Sequence, residues 1–233
     1  MIDRFSRTYM LLGSDGMERL KNARILLFGL GGVGGYVAEA LARSGVGSMT
    51  LVDADTVHIS NLNRQIIATE ETIGKKKTEA IQKRIASINP DCKLTLYDMF
   101  YLPESENIIS DDYDYIIDAI DTVTAKIDIV LKAQALNIPI ISCMGTGNKV
   151  RPELLEITDL YKTSVCPLCR VMRTELKKRG CRKLTVVYSP EKPLKPDPAF
   201  QEEERTPGST AFVPPVAGLL IASHVVRDLT GQL

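Results

Sequence analysis

One stretch constrains this chain more than any other. From Arg24 it reads "RILLFGLGGVGG", an unbroken apolar run that ends abruptly in glycines. A continuous apolar run of this length is what a strand buried on both faces requires. The residues that follow, "VGGYVAEALARSG", place Val33, Val37, Ala40 and Leu41 at helical spacing, and Gly45 sits where a helix C-cap is expected. Strand, glycine turn and helix together open a parallel α/β fold. The pattern then repeats. "SMTLVD", "KLTLYD", "YDYIIDAI" and "IPIISCM" read as further strands, and "KKKTEAIQKRIASINP" and "TAKIDIVLKAQALN" as the helices between them. Repeated this way, the pattern gives a Rossmann-like, mostly parallel sheet with right-handed crossovers. "LLEITDL" and "KLTVVYS" read as added strands, both expected antiparallel, and "VAGLLIASHVVRDL" as a closing helix. Residues 1–233 are expected to form one domain. A mobile crossover loop is expected at about 189–210, where "SPEKPLKPDPAFQEEERTPGST" is rich in proline and charge.

Composition narrows the setting. The formal net charge is zero, so any case for nucleic acid must rest on a local patch. The five cysteines show no small disulfide framework and read as cytosolic thiols. The start, "MIDRFSRTYM", carries charge early and lacks the apolar core of a secretion signal. "FVPPVAGLLIASHVV" is short for the roughly 20 apolar residues of a spanning helix. The expectation is a cytoplasmic protein without a membrane anchor.

Gly29, Gly31 and Gly34 fit G-x-G-x-x-G, with Gly32 inside the same turn. Glycines there let backbone amides and a helix N-terminus approach phosphate. Asp53 ends the second strand, 19 positions after Gly34, and can accept from ribose hydroxyls; Asp55 follows it closely. Up to this point NAD and ATP are equally served. Asn61, Asn63, Arg64 and Gln65 then put a cation and amides just past the ribose acid. Hydride transfer needs no such cluster, whereas a triphosphate suits Arg, which bonds phosphate oxygens bidentately. Lys77 can supply a point charge at the start of a helix. Asp121, past the carboxyl end of the fourth strand, suggests magnesium held against a polyphosphate. Singly these have plainer readings: Lys75 to Lys77 as a solvated helix start, Asp121 as an N-cap.

With these motifs in order, "GLGGVGG", "DADTVHISNLNRQ", "GKKK" and "DAID", the sequence resembles the ubiquitin-activating-like superfamily, which adenylates carboxylates with ATP. The resemblance runs from about Arg4 to Asp159. It implies that Asp53 holds ribose, that Asn61, Arg64 and Lys77 contact phosphates, and that Asp121 holds magnesium. Asp55 and Gln65 are counted with the nucleotide-binding residues. "RFSR" resembles the superfamily's arginine pair, which implies that Arg7 reaches the ATP of a second subunit in a homodimer.

Two subclasses remain open for the carboxylate. One activates the C-terminus of a ubiquitin-like sulfur carrier, and its bacterial members usually hold zinc with two C-x-x-C pairs. Here "CPLC", Cys166 to Cys169, is one pair and Cys181 a third thiol, short of the four ligands of tetrahedral zinc. Two packed thiols are the plainer reading. The other subclass follows from "RVMRTELKKRGCRK", which carries seven basic residues and one acid. Arg170, Arg173 and Lys177 are expected on one helical face, with Lys178, Arg179, Arg182 and Lys183 extending a phosphate-contacting stripe. The segment around them resembles the tRNA threonylcarbamoyladenosine dehydratases. That implies ATP-dependent cyclisation of the modified adenosine in tRNA through an adenylated carboxylate, with a sulfur-acceptor or cysteine desulfurase protein as an accessory partner. A nucleotide-binding module without chemistry is the reading from another class. His58 and His224 are read as core or surface residues, so no ring-closing base is identified.

Overall fold

The computed structural model describes residues 2–200 and 207–232. Its centre is β1 (Arg24–Phe28), whose side chains alternate between two cores as a strand's period of two demands. Ile25 and Leu27 face one cluster, Leu26 and Phe28 the other, and all four are fully buried. α2 (Gly34–Ser44) returns the chain to β2 (Ser48–Val52), and α3 (Lys77–Ile88) leads on to β3 (Lys93–Tyr97). β4 (Tyr115–Asp118) restarts on the other side of β1, and α4 (Val123–Ala135) carries the chain to β5 (Ile140–Cys143).

The seven strands lie in the order β3-β2-β1-β4-β5-β7-β6. Ile25 pairs in register with Met49 on one side and Tyr115 on the other. β6 (Glu156–Asp159) and β7 (Thr185–Tyr188) are the added strands, joined through α5 (Pro167–Lys178). Only β6 is antiparallel; β7 runs parallel to β5, contrary to the expectation for both. β5 and β7 are linked by a long crossover through β6 and α5, which allows parallel pairing, whereas β6 sits on the edge and folds back.

Helices cover both faces. Val37 and Leu41 of α2, Ile81 and Ile85 of α3, and Ile221 and Val225 of α6 (Val213–Leu229) share one core with Ile25 and Leu27. Ala125, Ile129 and Ala133 of α4 pack on the opposite face. α5 builds a third cluster with Met172, Leu176 and Val186. No helix among the described residues is long and apolar enough to cross a membrane.

The pattern of strands and helices gave no signal for α1 (Ser6–Asn22). Its apolar residues are sparse, and Gly13 breaks it with φ 68° and ψ 175°, so helical periodicity is interrupted midway. The second part is anchored through Gly16, Met17 and Leu20, while Met10 and Leu11 in the first part are more than four-fifths exposed.

The crossover loop expected at 189–210 falls partly outside the described residues, at 201–206. Its described flanks are held. Glu191 accepts from the amides of Val150 and Arg151. Asn148 accepts from the Gly208 amide through Oδ1 (2.7 Å), and its own amide donates to Gly208 O.

Candidate active site

Because the chain leaves β1 to one side and β4 to the other, a crevice opens at their carboxyl ends. In open α/β sheets this switch point is where ligands bind. A cavity of about 620 Å³ lies there, within the range of small-molecule sites. Its lining includes Gly29, Gly31, Asp53, Asp55, Asn61, Arg64, Gln65, Lys77 and Asp121. Most candidates scattered over nearly a hundred residues are thus brought together.

The glycine turn is locked by its own geometry. Gly29 has φ 90°, and a Cβ on Gly34 would stand 1.8 Å from the Gly29 carbonyl oxygen. Gly31 is different. A Cβ there would meet only Gln65 Nε2, at 3.9 Å, so its bareness is left for the cavity. The stem of Arg64 lies over Gly32, its Cγ 3.3 Å from where a Cβ would be.

Asp53 ties this turn to β2. Its carboxylate accepts from the amides of Leu30 (2.6 Å) and Asp55 (2.8 Å). Burial pushes its carboxyl above the usual range, while Lys77 and the two amides hold it down. Lys77 arrives because Thr56 bridges Lys76 and the Lys77 amide donates to Asp55 O. Its ammonium then lies 2.6 Å from Asp55 Oδ2 and 3.9 Å from Asp53 Oδ1. Lys77 is therefore a buried, oriented cation and no part of a solvated helix start.

Asn61, Arg64 and Gln65 follow from a 3-10 turn at Ile59–Asn61. Asn61 Oδ1 accepts from the His58 amide, and His58 Nδ1 accepts from the Ser60 amide, closing the cap. His58 thus lines the cavity as a capping residue. Arg64 donates to Ser60 O and Asn63 Oδ1, both at 2.9 Å, and no carboxylate pairs with it among the described residues. Partial burial pulls its guanidinium below the usual range. Gln65 is buried with its Oε1 lacking a hydrogen-bond partner. An unpaired cation and an unsatisfied buried amide beside a bare glycine suit an anionic, hydrogen-bonding ligand. Asp121 is exposed on the wall; the N-cap of α4 is Thr122, so Asp121 is not a cap.

Beneath the site lies a pair that sequence reasoning passed over. Lys126 and Asp118 are fully buried, 2.8 Å apart. Lys126 also donates to the carbonyls of Ile120 (3.1 Å) and Cys143 (2.8 Å), and Asp118 accepts from Ser142 Oγ. This network fixes the backbone on which Asp121 stands. The available signal was Asp118 in the otherwise apolar "YIIDAI" and Lys126 in the mostly apolar "AKIDIV", which also holds Asp128.

Other expected residues stand apart. Arg7 is exposed on α1 and does not line its own chain's cavity. On α5, Arg170, Lys177 and Lys178 are exposed, as are Arg179, Arg182 and Lys183 beyond it. Arg173 departs from the expected stripe: it turns inward and donates to the Thr163 carbonyl and hydroxyl. Lys178 and Arg179 share Glu175. Cys166, Cys169 and Cys181 are free, buried thiols in one apolar cluster. Burial lowers His224.

Residues 5–232 match the family model described as the ThiF family. The chain belongs to the ThiF family. Within that family it is 41% identical to the tRNA threonylcarbamoyladenosine dehydratase of Bacillus subtilis, covering 98% of this chain and 95% of the relative. Two solved structures of the E. coli tRNA N6-threonylcarbamoyladenosine dehydratase TcdA superpose on 98% of this chain and 94% of theirs. The complex with AMP gives a TM-score of 0.90 at 34% identity, and the complex with ATP 0.87 at 33%.

Proposed function

We propose that this ThiF-family chain is an ATP-dependent tRNA threonylcarbamoyladenosine dehydratase. The observation that carries the reading is the cavity: buried Lys77 and carboxylate-free Arg64 flank a glycine turn whose Gly31 leaves open space. The B. subtilis relative is alike over nearly its full length, and a TcdA structure closely resembling this one holds ATP.

In this reading Asp53 accepts from the ribose hydroxyls. Asn61, Arg64, Gln65 and Lys77 bind the phosphates, with Lys77 exchanging its contact with Asp55 for a phosphate oxygen. Asp121 fits magnesium, because it is a free carboxylate facing the cavity and that ion takes one or two carboxylates plus substrate phosphates. Bound there with the nucleotide, magnesium supplies charge neutralisation at the phosphates. The threonyl carboxylate attacks the α-phosphorus and pyrophosphate leaves. A nitrogen of the same modified side chain then attacks the activated carbonyl carbon, loses its proton, and expels AMP, closing a five-membered hydantoin. Closure within one molecule benefits from high effective molarity, so holding the reactants in place supplies much of the acceleration. Arg64 and Lys77 stabilise charge developing at phosphorus.

The tRNA lies against the exposed cations Arg170, Lys177, Lys178, Arg179, Arg182 and Lys183. A two-fold homodimer would bring Arg7 of one subunit to the cavity of the other and cover the exposed Met10 and Leu11. A tRNA substrate supports a cytoplasmic setting. The test incubates modified tRNA with the protein, ATP and magnesium, followed by nucleoside mass spectrometry. The expected product is lighter by one water. Unchanged nucleoside, with pyrophosphate exchange driven by a ubiquitin-like carrier instead, would reassign the substrate to that carrier.

A further inference from the structure

Cys166 is the N-cap residue of α5 and Cys169 lies in its first turn. Both thiols are buried, at 2% and 0% exposure. Two independent features distinguish them from packed core thiols. The first is position. Cys166 Sγ lies 3.8 Å from where a Gly145 side chain would begin, and Gly145 and Leu168 both face the cavity. Gly145 and Leu168 thus lie between this sulfur and the cavity. The second is charge. Lys149 is 2% exposed, yet no carboxylate pairs with it among the described residues. Its ammonium donates to Gly145 O (2.7 Å) and Ser189 O (3.3 Å), and its charge favours the anionic form of Cys166, as it does to a lesser effect that of Cys143, which burial keeps high. A buried lysine needs a counter-charge, and a thiolate supplies one.

The neighbouring Cys169, with Lys149 and the Gly145 backbone, holds Cys166 well below the usual thiol range against the effect of its burial. The neighbouring Cys166, together with burial, pushes Cys169 up. One thiol is thus set to attack and its neighbour to resolve. The turn that delivers them is strained, since Val165, a β-branched residue, has φ 59°.

We propose that Cys166 and Cys169 form a redox-active dithiol packed behind Gly145 of the nucleotide-cavity wall, that its substrates are small-molecule disulfides, and that its oxidation weakens nucleotide binding. The Cys166 thiolate attacks one sulfur of the disulfide RSSR. That bond breaks, RS⁻ leaves, and a mixed disulfide remains. Cys169 gives its proton to RS⁻, forming RSH, and its sulfur attacks that of Cys166, expelling a second RS⁻. Two electrons pass from the protein to RSSR. Oxidation also removes the anion facing Lys149, leaving that ammonium uncompensated against Gly145, Thr146 and Gly147 of the cavity wall. This coupling rests on reading the cavity as a nucleotide site.

The experiment equilibrates the full chain in buffers of reduced and oxidised glutathione, then quenches with acid and alkylates. The tryptic peptide 163–170, which carries both cysteines, is weighed. It should lose two hydrogens in oxidising buffer and regain them with dithiothreitol. Cys169→Ser should instead leave glutathione on Cys166. Lys149→Met should slow alkylation of Cys166 at slightly acid pH by about tenfold, and Lys149→Arg should not. ATP titrations of the two states should differ in Kd by about tenfold. Full alkylation of both thiols in the most oxidising buffer overturns the dithiol. A disulfide that forms without changing ATP affinity overturns the coupling. If the reduced protein binds no ATP, the nucleotide reading falls and the peptide mass still decides the dithiol.

Discussion

Lys77 and Lys178 carry the same charge at nearly the same distance from a carboxylate, 2.6 and 2.7 Å, under opposite conditions. The side chain of Lys77 is 6% exposed and held by a β-bridge, a turn and two acids; that of Lys178 is 64% exposed on α5 and meets Glu175 directly at the solvent-facing surface. A buried cation is committed to one direction and acts with little screening, so its geometry resembles a catalytic group's. An exposed cation is exchangeable with its neighbours and screened by salt, so it contributes to a field. The cavity half of the molecule therefore works by position and the α5 half by sum.

The largest test of this contrast removes the most deeply buried cation. Lys126→Met leaves Asp118 charged and unpaired, with a cost of about 3–5 kcal/mol expected in urea unfolding. A change below about 1 kcal/mol would show that the interior tolerates the lone carboxylate and would break the argument for a rigid floor. Next, Lys77→Ala should slow ATP-dependent activation by about 10²–10³-fold in a pyrophosphate-exchange assay. Mixing it with an Arg7→Ala subunit should restore activity in mixed dimers, because one cavity then has both groups. No recovery, with mixed dimers confirmed by mass, would confine Arg7 to its own subunit. A smaller effect is expected from Gly31→Ala: ATP binding should weaken in calorimetry while stability changes by less than about 1 kcal/mol. Equal losses in both would make Gly31 a fold residue like Gly34. The smallest effects belong to α5. Arg170→Gln and Lys177→Gln should each lower tRNA affinity slightly and reduce the slope of log affinity against log salt by about one. An unchanged slope would remove those residues from the tRNA surface.

How far the molecule could be read in its sequence follows the same division. The turn from β1 to α2 was legible because its requirements are local: an apolar run, then glycines, among them Gly34, where a Cβ would strike the Gly29 carbonyl. The association of Asp53, Arg64, Lys77 and Asp121 was legible because motif order tracks strand order, and the strands bring their carboxyl ends together. The direction of β7 was not, since running parallel to β5 is decided by a crossover and leaves no mark on "KLTVVYS". The Asp118–Lys126 pair was hidden because a charge that finds its partner only in three dimensions looks, in one, like a flaw in an apolar run. Arg173 shows the converse: helical spacing put it on the stripe, but Thr163, ten residues earlier, draws it inward.

Gly13 divides α1 into an anchored part and a part bearing Met10 and Leu11 in the open. Under the proposed two-fold assembly that turn would make stability a matter of mass action. Each copy that seats over it is a ligand for the native state alone, so the melting temperature should climb with protein concentration. At high dilution the same residues face water, and protease should find the chain first on the N-terminal side of Gly13.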